Sequence, residues 1–278
     1  MPDPVIAVFG AAGKTGRAVV RALLERGLAP ASVRRLVRDG PSPPAPFPGV
    51  PSTAVDLEVG ESVTAAVAGA TALYVVAPNL HPDEPAIVGR AVAAAREHGI
   101  ERIVHHSVLR PGLQAMPHHW GKLRAEELLW GSGLDVTVLQ PSAYVQNLVP
   151  AVTGGELVVP YSVDRPFSLV DLADVADVAA RVLTGSGHTG ATYELAGPTT
   201  TVAALARDLG LAARRRREPP GDGASDGYGP RALQAMFDWY DRHGLAGSPG
   251  VLRWLLGREP RHPAEVLSAL ASGRAPRA

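Results

Sequence analysis

The stretch Val5-Ile6-Ala7-Val8-Phe9, running directly into Gly10-Ala11-Ala12-Gly13-Lys14-Thr15-Gly16, constrains this chain more than any other part of it. An uncharged apolar run, three glycines in a G-x-x-G-x-x-G spacing and helical periodicity from Arg17 to Arg26 predict a buried strand, a tight turn and a helix N-terminus. The first N–H groups of a helix lack intrahelical acceptors, and the helix dipole adds partial positive charge there, so such a corner can seat a phosphate. Gly10 would make the sharp turn, Gly13 would let a pyrophosphate approach the backbone, and Gly16 would let the helix pack closely on the strand. The flanking strand and helix are the context in which this spacing means dinucleotide binding.

Composition removes several other classes of function. With 278 residues the chain can bury a substantial core, and 46% hydrophobic with 19% charged residues fits a globular protein. Net charge is zero, so no overall field recruits nucleic acid or an anionic membrane, and neither is an expected partner. The four arginines Arg214 to Arg217 read as a solvated segment after a helix, since no aromatic residue interleaves with them. Cysteine is absent, which excludes disulfides, thiolate metal sites and thiol nucleophiles, and no metal site is expected. Met1-Pro2-Asp3-Pro4 lacks a basic leader region, and no run approaches the ~20 apolar residues of a membrane span, so a cytoplasmic location is expected.

Along the chain, strand and helix patterns alternate. A second strand, Ser32 to Val37, ends at Arg38-Asp39-Gly40, where such a unit meets the adenosine ribose. Arg38 favours the 2′-phosphate of NADP(H); Asp39 beside it leaves NAD(H) open. The proline-rich Pro41 to Pro51 reads as a loop, followed by a short strand to Asp56, which can bond an adenine amino group or serve as a turn residue. A helix from Glu61 to Ala68 and a strand from Ala72 to Val76 follow. That strand breaks at Ala77-Pro78-Asn79, at the carboxyl edge where ligands bind in open parallel sheets. Glu84 to His98 reads as a helix, and Arg102 to Val108 as a strand carrying His105, His106 and Ser107. Adjacent strand residues face opposite ways, so His105 and His106 cannot both line one site.

The next helix begins near Met116 and reaches Trp130, with His118 and Lys122 one turn apart on one face. A sixth strand, Leu134 to Leu139, leads into Gln140-Pro141 and then Tyr144 and Asn147, placed to border a substrate. Six strand and helix repeats make an α/β, Rossmann-type doubly wound parallel sheet the economical fold. The expected division is a dinucleotide domain over residues 1–150 and a smaller substrate-covering region over 151–278. A segment near 191–196 would return to the main sheet. Glu156 to Val159 reads as a strand, Asp171 and Asp174 as residues opening a helix to Leu183, and Ser225 to Gly229 as a glycine-rich break. Trp239, Tyr240 and His243 concentrate aromatic surface on one helix and are candidate substrate-contacting residues.

These features together resemble the NmrA-like group of atypical short-chain dehydrogenase/reductases, which includes quinone oxidoreductases and triphenylmethane dye reductases. The resemblance lies in the Gly10 to Gly16 turn, Val33-Arg34 with Val37-Arg38, His118 with Lys122, Leu139-Gln140-Pro141, Ser168-Leu169-Val170-Asp171 with Asp174-Val175-Ala176, and the segments Met236 to Gly244 and Leu256 to Pro260. It implies NAD(P) held by Gly10, Gly13, Lys14, Thr15, Gly16 and Arg38, with Ala77, Lys122 and Tyr144 near the nicotinamide. Ala12, Asp56, Pro78, Ser107 and Pro141 complete the expected cofactor set. Orthodox members carry a tyrosine four positions before the lysine, and here that place is His118. The expected activity is therefore an NADPH-dependent reduction of a quinone-like or conjugated aromatic or polyketide acceptor, with His118 or Tyr144 relaying the proton. The alternatives are a cofactor sensor without turnover and a non-redox enzyme on the same fold. A monomer or homodimer acting on a small molecule is expected.

Overall fold

A computed structural model describes residues 4–38, 47–216 and 227–273. Asp39, Gly40, most of the proline-rich loop, Arg217 and Ser225 lie outside the described residues. The main sheet draws on β1 (Ile6–Val8), β2 (Val33–Val37), β3 (Ser52–Ala54), β4 (Ala72–Val75), β5 (Arg102–His106), β6 (Asp135–Pro141) and β10 (Thr192–Leu195). Its order is β10-β6-β5-β4-β1-β2-β3, and the pairs from β3 through β6 are parallel. The reversal between β1 and β4 is the switch point at which open α/β sheets bind ligands. The expected Rossmann-type α/β fold is therefore present.

Two compact units make up the chain. The first comprises Met1–Ser107, Gly121–Leu139 and Ala176–Tyr193. Every residue of β1 and β4 is buried, because a central parallel strand is covered on both faces. On one face Ala7, Phe9, Leu36, Leu73 and Val75 pack against apolar residues of α2 (Gly60–Val67), α3 (Glu84–Glu97) and α4 (Pro117–Trp130), including Val63, Val88, Ala91 and Leu129. Burying each large aliphatic side chain contributes ~1.5–3 kcal/mol. α1 (Lys14–Glu25) connects β1 to β2 and buries Val19, Val20 and Leu23.

The second unit comprises Val108–Trp120, Gln140–Val175 and Glu194–Ala278. Its core joins Leu109, Met116, Leu148, Leu157, Phe167, Leu205, Tyr240 and Val266. Small sheets support it: β7 (Val152–Thr153) and β12 (Ala212–Arg215) flank β8 (Glu156–Val159), and β9 (Phe167–Ser168) pairs with β11 (Thr199–Thr200). Arg214 and Arg215 thus stand on a strand parallel to β8, a departure from the reading of this run as a segment after a helix. Arg214 pairs with Glu156 at 2.8 Å and Arg215 with Asp241 at 2.6 Å, which compensates the charge of these two residues. α5 (Leu172–Thr184), α6 (Val202–Asp208), α7 (Tyr228–His243), α8 (Gly250–Leu256) and α9 (Pro263–Ala271) complete the fold.

Near the start of α5, Asp174 is fully buried, its carboxylate 2.8 Å from the guanidinium groups of both Arg258 and Arg261, and it also accepts the Arg261 backbone N–H. Gln146 spans the same turn, donating to Asp171 at 2.6 Å and accepting from the Leu172 N–H. No helix among the described residues is long and apolar enough to cross a membrane.

Candidate active site

The glycine corner is built by backbone alone. Gly10 takes φ +60°, the left-handed region that favours glycine. Its carbonyl accepts the Gly13 N–H at 2.9 Å, while the Ala11 N–H bonds the Leu36 carbonyl of β2 at 3.1 Å. A Cβ on Gly16 would lie 2.4 Å from the Gly10 oxygen and 2.7 Å from the Ala11 Cα, so only glycine permits this approach of helix to strand. Gly13 is the exposed N-cap of α1, with no side chain capping the helix and no acidic residue in its first turn. A pyrophosphate fits these residues: the amide end of α1 is left to an external anion, and a Cβ at Gly13 would crowd the Gly10 oxygen at 3.3 Å. Ala12, Lys14 and Thr15 line the same turn.

Arg38 is exposed just past the end of β2. Asp56 is exposed past β3, where it accepts the Glu58 N–H at 2.9 Å and closes a local turn. Ala77 is buried and Pro78 half-buried in the segment after β4. Two non-glycine residues take left-handed backbone in the loops that follow β4 and β5, Leu80 at φ 54° and Arg110 at φ 55°. Such conformations are costly and persist only where surrounding structure holds them.

A buried polar cluster lies between β5 and the helices α3 and α4. The Lys122 ammonium donates to Glu84 Oε1 at 2.6 Å and to the His106 carbonyl at 2.9 Å, with Lys122 5% and Glu84 1% exposed. Ser107 is buried and donates its hydroxyl proton to the buried Glu126 carboxylate. His106 shares a 2.5 Å hydrogen bond with the Tyr74 hydroxyl. Burial first, and the Lys122 charge second, push His106 down to about 3, and the same causes hold His105 well below the ordinary imidazole range. Both imidazoles are therefore neutral near neutral pH.

The remaining expected residues belong to the second unit. His118 is buried, its ring edge-on to His119 with centroids 6.2 Å apart. Pro141 ends β6, and Tyr144 is half-buried at the entry to a 3₁₀ segment, Val145–Ala151, that carries exposed Asn147. On α7, Trp239 and His243 stack with ring centroids 4.3 Å apart. Tyr240 turns into the core against Phe167 and Tyr161, where burial raises its phenol well above the ordinary range. Glu84, Arg17 and Arg35 were not singled out by sequence reasoning, which saw Glu84 only as the opening of a helix. Glu84 meets Lys122 and Arg35 meets Ser52, each far away in sequence, and spacing along one element carries no sign of either contact.

A glycine phosphate turn between the first strand and helix, at the edge of a parallel sheet with a switch point, defines a dinucleotide-binding α/β protein. Residues 10–186 match the model of the NAD(P)H-binding family. The chain belongs to this family. It is 31% identical over 222 residues to the NAD(P)H azoreductase of Xenophilus azovorans, covering 76% of this chain and 74% of that one. It is 26% identical over 211 residues to quinone oxidoreductase 2 of Escherichia coli, covering 74% and 73% of the two chains. In fold it is similar to the Citrobacter triphenylmethane reductase complexed with NADP(H), with TM-score 0.81 and 21% identity over 96% of this chain and 99% of that one.

Proposed function

We propose that this chain is an NADPH-dependent reductase that passes a hydride to an electron-poor conjugated acceptor, of the quinone-like or aromatic and polyketide class. The glycine corner carries the reading: it leaves an uncapped helix end beside a backbone that only glycine allows. The names of the azoreductase and quinone oxidoreductase relatives support reduction of a conjugated bond. Arg38, beside the ribose position, favours the phosphorylated coenzyme.

In this reading Gly10, Ala12, Gly13, Lys14, Thr15 and Gly16 hold the pyrophosphate. Ala77, Pro78, Ser107, Pro141 and Lys122 are the residues that would hold the nicotinamide end. When bound, the reduced coenzyme supplies the hydride. The acceptor would take that hydride, a hydrogen with its electron pair, and one further proton, a balanced two-electron reduction that leaves oxidised coenzyme. A quinone reduced in this way passes through a stabilised hydroquinone anion, so positioning and exclusion of water supply most of the catalysis and no strong acid is needed. Lys122 contributes positive charge, and Tyr144 or His118 conveys the proton. Asn147, Trp239 and His243 are the substrate-side residues, whereas Tyr240, also expected among them, packs into the core against Phe167 and Tyr161.

The test is initial-rate coenzyme oxidation with NADPH and NADH against quinones, azo dyes and triphenylmethane dyes. Saturable, acceptor-dependent oxidation that falls on His118→Ala and Tyr144→Phe is expected. Tight coenzyme binding with no turnover on any acceptor would make the chain a sensor.

A further inference from the structure

Arg35 sits at the middle of β2, in register with Val8 of β1. Side chains alternate along a strand, so Arg35 points away from the face on which Ala7 and Leu36 meet α2 and α3. It is 7% exposed. One guanidinium nitrogen donates to Ser52 Oγ at 2.9 Å, and its buried Nε has no hydrogen-bond partner among the described residues. Arg17, in the first turn of α1, likewise keeps a buried Nε without a partner among the described residues. The two cations stand on adjoining elements: the turn that leads into α1 is bonded to β2 next to Arg35, through the Ala11 N–H and the Leu36 carbonyl at 3.1 Å, and the charge of Arg17 is, after burial, the second cause that lowers the pKa of Arg35.

A buried and a half-buried guanidinium of like charge, each with a buried Nε left as a spare donor, are costly unless an anion completes them. No carboxylate among the described residues does so. Their planar forks suit a phosphate dianion, which can accept from both at once. Arg17 follows Gly16 directly, so the pair stands beside the pyrophosphate corner. Arg35 is three residues before Arg38, on the strand whose end meets the adenosine ribose.

We propose that Arg17 and Arg35 together bind the 2′-phosphate of the coenzyme's adenosine ribose. Selection of NADPH then comes from inside β2 and α1 and not from the exposed Arg38 alone. This rests on the reductase reading, and it adds the residues that choose the coenzyme.

Calorimetric titration tests it, using the full chain and the Arg17→Met, Arg35→Met and Arg38→Ala variants with NADPH, NADH, 2′,5′-ADP, 5′-ADP and inorganic phosphate. Arg17→Met and Arg35→Met should each weaken NADPH and 2′,5′-ADP by about tenfold or more while leaving NADH and 5′-ADP within about twofold, with a smaller loss for Arg38→Ala. Arg17 is only half-buried, so its variant carries the test if Arg35→Met does not fold. An unchanged preference for NADPH over NADH in the folded variants overturns the proposal. So does a pair that binds inorganic phosphate while the unsubstituted chain holds both coenzymes equally. Failure of the unsubstituted chain to bind either coenzyme overturns the reductase reading as well.

Discussion

Lys122 and Glu84 form an ion pair of 2.6 Å in which both side chains are buried, although 38 residues separate them in the chain. A buried pair is a weak net stabiliser, but removing one member strands a charge in a poorly solvated place. Glu84→Gln and Lys122→Met are each expected to cost about 3–5 kcal/mol in urea unfolding. The double change Glu84→Leu with Lys122→Met should cost much less than the sum, because no charge is left behind. Single losses under about 1 kcal/mol would show that the pair is not isolated from water.

The glycines separate a folding role from a binding role. Gly16→Ala would force a Cβ to 2.4 Å from backbone oxygen, and a loss of at least ~1–3 kcal/mol is expected from overpacking. Gly13→Glu, at the exposed N-cap, should cost less stability than Gly16→Ala, since its Cβ would stand 3.3 Å and not 2.4 Å from the Gly10 oxygen, and should abolish coenzyme binding by placing a carboxylate where the pyrophosphate is proposed to lie. Undiminished NADPH binding by Gly13→Glu, read by calorimetry, would move the coenzyme elsewhere.

Stability should depend on acid through β5. His106 titrates at about 3 in the folded chain, held down by burial and then by Lys122, and His105 is lowered in the same way. In the unfolded chain each takes up its proton near ~6.5. Between these values the unfolded state binds more protons, so stability is complete above about pH 6.5 and is lost as pH falls toward 3, by up to ~1.4 kcal/mol per pH unit for each histidine. Tyr74, Lys122 and Glu84 surround this region but do not reverse the sign. Urea unfolding across this window should show the slope, and His106→Gln should flatten it. Equal stability at about pH 7 and about pH 4 would contradict the assignment.

In the second unit, Arg261 gives the buried Asp174 both a side-chain and a backbone hydrogen bond, each 2.8 Å long. Arg261→Met removes one of its two guanidinium partners and should cost about 2–3 kcal/mol, less than a complete stripping because Arg258 remains 2.8 Å away. Adding Arg258→Met should cost more than the first change did. Thermal unfolding of the two variants decides this, and equal or negligible losses would deny the clamp.

The parallel sheet was legible because its evidence is local. Apolar runs such as Ile6 to Val8 and Ala72 to Val75 end in turn residues, and helical periodicity fills the spaces between them. Glu156–Val159 also matches its expected limits, since an alternating run between glycines and a proline allows few other registers. β6 extends through Pro141, two residues past the expected end, because the Pro141 carbonyl still accepts the Leu109 N–H. Ala212–Arg215 was hidden: arginines have no marked strand preference, and pairing with β8, 56 residues earlier in register, makes the strand. The backbone of the glycine corner was legible because spacing along one element decides it: Gly10 makes the sharp turn and Gly16 allows the close approach of helix to strand. Arrangements that two distant elements decide were not legible, as for the Lys122–Glu84 ion pair.

Stereospecific isotope labelling tests hydride transfer most directly. Acceptor-dependent oxidation should be followed with NADPH deuterated on one or the other face of the nicotinamide C4. A fixed cradle aims one face at the acceptor, so a primary isotope effect is expected from one diastereomer only, with loss of that label alone. Bound coenzyme that keeps both labels in the presence of every acceptor would contradict hydride transfer.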